Sequence, residues 1–213
     1  MHDDSNITRE PVPGLPERPP EGEHILWQGR PNWWLLSWES LSLPWVAGYF
    51  VFLAVWRFVA VSDLMPLGQA IGASLPFLIL GGIVLALLVF VGWVQAVTTM
   101  YTVTNRRIAM RIGAALTVTL NLPYTQIANA SLQERRGGHG TIALETMGST
   151  RLSYLMTWPH VRPWHIRQTQ PCLRAIPDAA RVAALIADAA QTRVTAAKAE
   201  AAHDGQVSPV AAE

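Results

Sequence analysis

The chain has 213 residues, of which half are hydrophobic and only 15% are charged, well below the quarter that is usual in globular domains. A single cysteine, Cys172, excludes an intrachain disulfide and any metal site built from several cysteines. The net charge of +1 hides an uneven distribution, since residues 1–43 carry −4, residues 44–97 are neutral and residues 98–213 carry +5.

Acidic residues and prolines dominate residues 1–23. Because such a composition does not form a packed core, the sequence predicts an extended or disordered leader. It is either a solubilising tail or a docking strip for a basic partner. No basic segment followed by an apolar run is present here, so the leader is not a signal peptide.

Tryptophans crowd into the next segment, residues 24–43. Tryptophan favours the headgroup zone of a bilayer, because its ring is apolar and its N–H needs a partner. Helical spacing predicts a short interfacial helix over about 32–42, whereas residues 25–27 could instead form a strand on the later soluble domain. Some of these tryptophans lie near the ends of two apolar runs that are described below. The tryptophans predicted at the membrane interface are Trp27, Trp33, Trp34, Trp38, Trp45 and Trp93.

Two apolar runs, residues 43–61 and 75–97, predict a transmembrane hairpin, since about 20 apolar residues cross a bilayer as a helix. The connecting residues contain a partly apolar stretch, 64–74, that leaves a third membrane segment open. Basic residues flank the outer ends of both runs, which by the positive-inside rule predicts cytoplasmic termini and a periplasmic turn. The predicted location is therefore the bacterial inner membrane.

Arg57 is the one charged residue within the first apolar run. An arginine inside a bilayer is costly, and it is tolerated when its long side chain reaches the interface or when it is paired. Arg57 is close to the end of the run, so one interpretation is that its side chain extends to the far interface. The other is a contact with an acidic or carbonyl group of a partner protein.

After residue 97 the pattern changes to the alternation of apolar and polar residues that is typical of β-strands. An amphipathic helix then opens near Asp178 and is predicted to cap the sheet, so that a soluble domain spans 98–198 and a frayed tail spans 199–213. The predicted strands are residues 99–104, 107–112, 116–122, 126–134, 141–147, 150–156 and 172–176.

Residues 157–171 form an irregular segment rich in proline, aromatic residues and arginine. Tryptophan and arginine are the residues that most often anchor protein interfaces, so this segment is a candidate protein contact; the alternative is ordinary loop packing. The predicted contact residues, with Arg57, are Trp158, Arg162, Trp164, His165 and Arg167.

Catalytic and cofactor motifs are missing from the sequence. The glycine-rich segment 135–140 lacks the lysine and the following helix of a phosphate-binding loop, and neither apolar run contains a histidine that could hold a pigment. His160 and His165 have no spacing that favours metal ligation. We therefore expect no enzymatic activity, no metal and no cofactor, and we expect the arginines to meet lipid or protein rather than nucleic acid.

Two segments, YTVTNRRIAMR (101–111) and LPYTQIANASLQERRGGHGTIALET (122–146), resemble the bacterial pleckstrin-homology proteins, in which two membrane helices lead into such a sheet. The segment EHILWQGRPNWW (23–34) is also similar to that family. The resemblance implies a membrane α + β fold, in which a two-helix transmembrane hairpin is followed by a pleckstrin-homology-like β-barrel with a C-terminal capping helix.

A narrower resemblance rests on segments 10–33, 45–57 and 162–189. These are similar to the photosynthetic complex assembly proteins of purple bacteria, the PuhB family. The resemblance implies a non-enzymatic factor of the intracytoplasmic membrane that helps to build the reaction centre and the core light-harvesting complex. It implies contact with the reaction-centre H subunit and self-association as a homodimer, and it brings no catalytic residues. The alternative is a generic membrane-anchored module that binds lipid or oligomerises.

Overall fold

The computed structural model describes residues 14–15, 17–113, 117–135, 137–147 and 152–204, the last eight of them by their backbone alone. The chain divides into two compact units. One is a helical unit, Asn32–Val97, and the other is a β-rich unit formed by the residues before and after it. The predictions for residues 1–13 and 205–213 lie outside the described residues.

The helical unit contains three helices: α1 (Trp33–Ser40), α2 (Leu43–Ser62) and α3 (Leu67–Thr98). The side chain of Asn32 starts α1 by accepting hydrogen bonds from the backbone N–H groups of the second and third helical residues, as a good N-cap residue does. The predicted short helix is therefore present. Both α2 and α3 are long and apolar enough to cross a membrane.

The turn between α2 and α3 is shorter than predicted. α3 begins at Leu67 rather than near residue 75, because the carbonyl of Pro66 accepts hydrogen bonds from the N–H groups of Gln69 and Ala70 and so starts the helix. Pro76 lies inside the helix without ending it. Residues 67–74 are consequently the first two turns of α3, and no separate third membrane segment is formed there.

Small residues let the helices of this unit approach closely. A Cβ built on Gly81 would lie 2.7 Å from the Cβ of Phe50 in α2, and one built on Gly92 would overlap the hydroxyl of Ser37 in α1. Ala54 of α2 and Ala70 of α3 are also buried. The helix contacts therefore depend on the absence of side-chain volume at these positions.

The β-rich unit contains two antiparallel sheets, with strand orders β1-β2-β3-β4 and β5-β6-β7. A helix, α5 (Ala179–Asp204), follows the last strand. The strands are β1 (Ile25–Gly29), β2 (Met100–Thr104), β3 (Arg107–Ile112), β4 (Val118–Pro123), β5 (Ile127–Glu134), β6 (Gly140–Thr146) and β7 (Cys172–Ile176).

The first strand comes from the tryptophan-rich segment. β1 pairs with β2 in register Gln28↔Thr102, and the side-chain amide of Gln28 donates to the Thr102 hydroxyl at 3.0 Å. The strand predicted as the alternative for residues 25–27 is therefore present. Trp27 packs against the hydrophobic core of this unit, so its ring contacts protein. The prediction that Trp27 lies at the membrane interface is corrected accordingly.

Part of the leader, for which we predicted an extended or disordered chain, packs on this unit. Gly14 and Leu15 are buried, and Glu23, with a side chain only 3% exposed, forms an ion pair with Arg107 at 2.9 Å. The carbonyl of Gly22 accepts a hydrogen bond from Asn105. A few anchoring contacts order this stretch, although its average composition resembles that of disordered chains.

The core lies between the two sheets and α5. The helix contributes Ala179, Val182, Ile186 and Ala189 to the core cluster, which are spaced as one face of a helix. The predicted capping helix is therefore present, and it continues to Asp204 instead of ending near residue 198. Its alanine-rich end explains the extension, since alanine has the highest helix propensity.

One predicted strand is wrong. Within residues 150–156, the described part includes the start of a single helical turn, α4 (Tyr154–Thr157), and the Thr157 hydroxyl donates to the carbonyl of Ser153 at 2.8 Å. The alternation of side chains in this stretch was therefore not a sign of a sheet. The predicted architecture of two apolar helices, then β-sheet, then a capping helix is nevertheless confirmed.

Candidate functional site

The candidate site is the segment between β6 and β7, residues 152–171, which we call the aromatic loop. Backbone hydrogen bonds join the middle of the loop to its C-terminal end: the N–H of Cys172 donates to the carbonyl of His160 at 2.8 Å, and the N–H of Arg162 donates to the carbonyl of Gln170 at 2.9 Å. Val161 and Pro171 form an isolated β-bridge. The loop is therefore an ordered projection from β7.

A buried histidine holds the base of the loop to β2. The ring of His160 has no exposed surface; its Nδ1 lies 2.5 Å from the Tyr101 hydroxyl and its Nε2 lies 3.1 Å from the Thr99 hydroxyl. The Tyr101 hydroxyl also accepts a hydrogen bond from the backbone N–H of Arg174. Thr99 directly follows the last residue of α3, so His160 connects the loop with the point where the chain leaves that helix.

The environment of His160 keeps its imidazole neutral. Burial, with the positive charge of Arg174 as a smaller contribution, lowers its pKa to about 3. A neutral imidazole has one donor and one acceptor nitrogen, which suits two flanking hydroxyl groups that can each donate or accept. His160 is thus a buried, hydrogen-bonded ring that carries no charge at neutral pH.

Two other reactive groups near the loop are also neutral. Burial raises the pKa of Tyr101 above its ordinary value and raises the pKa of the Cys172 thiol to about 12. Since the thiolate is the nucleophilic form of cysteine, Cys172 is a packing residue here. Its sulfur donates to the carbonyl of Gln170.

The outer part of the loop exposes large apolar side chains. Trp164 is 90% exposed, at a backbone φ of 67°, and Leu155 is 86% exposed. Met156, Trp158 and Ile166 are also exposed. A cleft of about 640 Å³ joins the two halves of the loop and is lined by Leu152, Ser153, Tyr154, Leu155, Ile166 and Arg167. Leu155 and Ile166, from the two halves of the loop, therefore border one common cleft.

The charged residues of the aromatic loop, Arg162 and Arg167, are both positive. No acidic residue occurs between Glu145 and Asp178 in the sequence, whereas Arg162 and Arg167 are both exposed. The Arg162 guanidinium donates to the side-chain oxygen of Gln170 at 3.1 Å, which holds it beside the loop base. The loop is therefore suited to a partner that carries negative charge or that can accommodate aromatic side chains.

The structure brings five of the predicted contact residues together in this loop and places the sixth, Arg57, on α2 in the other unit. Sequence reasoning missed Leu155 and Met156, because residues 150–156 were interpreted as a strand, and it passed over Ile166, because only tryptophan, arginine and histidine were singled out in residues 157–171. The signal that was available is the density of large apolar residues beside prolines, which is unusual for a surface loop. The buried role of His160 carried no sequence signal.

The position of Arg57 relative to α3 follows from the contact of Phe50 in α2 with Gly81 in α3. Because α2 and α3 run in opposite directions, Arg57 lies near the level of Ser74, seven residues from that contact on each helix. Trp93 is 19 residues further along α3, or about 28 Å at 1.5 Å per residue. If both helices crossed a bilayer with Trp93 at one interface, that distance would match a hydrocarbon layer of about 30 Å and would put Arg57 near the other interface; the role of Arg57 stays a prediction.

The tryptophans predicted at the interface, other than Trp27, are all exposed on the helical unit. Trp45 is 82% exposed, and the remainder are each between 40% and 50% exposed: Trp33, Trp34, Trp38 and Trp93. Within the part of the chain that the structure describes, no group of three or more His, Cys, Asp or Glu side chains could hold a metal ion.

Comparison with known proteins identifies the architecture. The bacterial PH domain family matches residues 43–190. The chain is also 40% identical over 193 residues, or 90% of each sequence, to a 23.7 kDa protein from Rhodobacter capsulatus that is described as lying in the puhA 5′ region. No solved structure matches the chain. The two apolar helices, the paired sheets and the C-terminal helix are thus those of a known family, and the chain belongs to the bacterial PH domain family.

Proposed function

We propose that this protein is a non-enzymatic assembly factor for the photosynthetic reaction centre and the core light-harvesting complex, and that it acts through protein–protein contacts. The observation that carries the proposal is the similarity, over nine tenths of the chain, to the Rhodobacter capsulatus protein of the puhA 5′ region. The PuhB family, which the sequence resembles, is linked to the same assembly process. The H subunit of the reaction centre is the first partner that we propose, followed by the core antenna.

The helical unit supports contacts inside the bilayer. Only 11% of the most apolar stretch of each of the helices α2 and α3 is buried. Most of their surface is therefore available to lipid or to other membrane helices. Association between membrane helices relies on packing of such surfaces and on small residues, and Gly48 and Gly82 have open space around them. Membrane-embedded subunits are therefore partners of suitable chemistry.

We also propose that α2 and α3 cross the inner membrane with both termini in the cytoplasm. Arg106, Arg107 and Arg111 follow α3 closely, whereas the turn contains Asp63 and no basic residue. Basic residues concentrate on the cytoplasmic side of membrane helices. The β-rich unit would then lie on the cytoplasmic face, where the assembling subunits are inserted.

The partner is tested by affinity capture of the full-length tagged chain from gently solubilised photosynthetic membranes. We expect the reaction-centre H subunit and core antenna polypeptides to co-purify, as detected with specific antibodies, more strongly while complexes are being synthesised than at steady state. A tagged two-span protein unrelated to photosynthesis is the control. Capture of the chain at normal abundance without any reaction-centre or antenna polypeptide would contradict the proposal.

A second candidate function is a general membrane module that binds lipid or oligomerises, without a role in photosynthesis. The observation that favours it is the apolar and basic surface of the aromatic loop, whose chemistry is suited to a lipid headgroup region. The two candidates differ in the effect of losing the gene, since only an assembly factor would lower the amount of photosynthetic complex.

A further inference from the structure

We infer that the aromatic loop is seated on the bilayer, with Trp164, Ile166 and Leu155 entering the boundary between headgroups and acyl chains, and with Arg162 and Arg167 on lipid phosphates. The occupant of this surface is thus the anionic cytoplasmic leaflet of the membrane in which the chain is anchored. This inference goes beyond the assembly role and does not depend on it, since it requires no other protein.

The first argument for this inference is the position of the loop along the chain. His160, at the base of the loop, is hydrogen bonded to Thr99 at 3.1 Å, and Thr99 directly follows α3. Trp93, whose exposed indole favours the headgroup level, lies six residues before Thr99, or about 9 Å along a helix. The base of the loop is therefore hydrogen bonded to the residue that directly follows α3, six residues along the chain from Trp93.

The second argument is the exposure of large apolar side chains. Trp164 and Leu155 each leave more than four fifths of their surface uncovered, and Leu155 and Ile166, two residues after Trp164, line the same cleft. An apolar surface of this kind is costly in water. Aromatic and aliphatic side chains beside arginines are the composition with which proteins enter the interfacial region of a membrane.

Charge selects the kind of lipid. The absence of acidic residues from 146 to 177, together with the exposed residues Arg162 and Arg167, makes the loop complementary to anionic headgroups. A protein subunit could also accept tryptophan and arginine. The hydrogen bond of His160 with Thr99 favours the bilayer as the occupant, because the membrane that anchors α3 is present whether or not a partner protein has arrived.

The test measures the depth of the loop by spin labelling of the full-length protein in vesicles that contain phosphatidylglycerol. The native thiol is removed by Cys172→Ala, and a label is attached at Trp164→Cys or Ile166→Cys. The matched control is Gln133→Cys on β5, which is exposed on the same unit. If Cys172→Ala impairs folding, the native cysteine is kept, since it is 1% exposed and reacts poorly.

We expect labels at positions 164 and 166 to collide more often with oxygen, which partitions into the bilayer, than with an aqueous nickel chelate, and the label at position 133 to show the reverse. The pair Arg162→Gln and Arg167→Gln should reduce this difference in anionic vesicles and leave it unchanged in phosphatidylcholine. Equal nickel accessibility at 164 and 133 would overturn the inference. Protection of position 164 from both reagents would also overturn it, since it would indicate contact with a second copy.

Discussion

At the scale of single residues, the buried polar groups define how the candidate surface is presented. His160 lies between the hydroxyls of Tyr101 and Thr99 and has no exposed surface. Unpaired polar groups are expensive to bury, so the three side chains depend on one another. The exposed loop is therefore fixed from beneath by a small hydrogen-bonded cluster rather than by apolar packing at its tip.

The pKa of His160 leads to a pH-dependent stability. Its folded value of about 3 is below the ordinary 6.5, so the unfolded chain binds a proton below pH 6.5 that the folded chain does not. This contribution to stability is complete above pH 6.5 and is lost as the pH falls toward 3. We expect a loss of about 2 kcal/mol between pH 7.5 and pH 5 from this group, measured by chemical unfolding of the β-rich unit in detergent-solubilised protein.

The control for this prediction is His165→Gln, because His165 is partly exposed and lies in the same loop. That variant should keep the pH dependence of the wild type, whereas His160→Gln should lower stability at pH 7.5 and flatten the profile between pH 7.5 and pH 5. An unchanged slope in His160→Gln would show that another group is responsible.

At the scale of elements, the structure depends on where glycines permit close packing. Gly92 of α3 faces Ser37 of α1, and Gly82, only ten residues away on the same helix, has open space around it. Both are glycines within one apolar helix, so they share the same backbone entropy cost. The difference between them isolates the contribution of packing between α1 and α3.

We predict opposite effects of alanine at these two positions. Gly92→Ala should destabilise the helical unit by roughly 1–3 kcal/mol, as overpacking does, because its Cβ would overlap the Ser37 hydroxyl. Gly82→Ala should be neutral or slightly stabilising. Thermal unfolding in one detergent, followed by circular dichroism, measures both, and an equal loss for the two variants would contradict the packing described here.

Much of the element order could be predicted from the sequence, because membrane helices and alternating strands have strong periodic patterns. α2, the five strands between residues 100 and 146, β7 and the start of α5 were found close to their actual bounds, whereas α3 begins eight residues earlier than predicted. Boundaries that depend on single hydrogen bonds were not predicted. The carbonyl of Pro66 lengthens α3, and the pairing of β1 with β2 brings together residues more than 70 positions apart.

The candidate site was predictable only in part. The density of tryptophan and arginine in the aromatic loop was visible in the sequence, whereas α4 was mistaken for a strand because Tyr154, Leu155 and Met156 are compatible with either form. The connection of His160 with Thr99 joins residues 61 positions apart. No periodic pattern encodes such a contact, so the proximity of the loop to the end of α3 required the structure.

At the scale of the whole molecule, the orientation in the membrane is the first property to test. A periplasmic reporter fused after Leu64, which is 80% exposed in the turn, should be active in the periplasm, and a reporter fused after Glu213 should be active in the cytoplasm. The distribution of arginines is the physical reason. Matched fusions of two reporters, one active only in each compartment, provide the control, and the reverse pattern would contradict the proposed topology.

The central claim is the role in assembly, and the most direct measurement is the absorption spectrum of membranes from a strain that lacks the gene. We predict a selective loss of reaction-centre and core-antenna absorption, with pigment synthesis intact and with recovery when the full-length chain is restored. A spectrum identical to that of the wild type, at equal growth and pigment content, would contradict the assembly role and leave a membrane-anchored bacterial PH domain protein of another function.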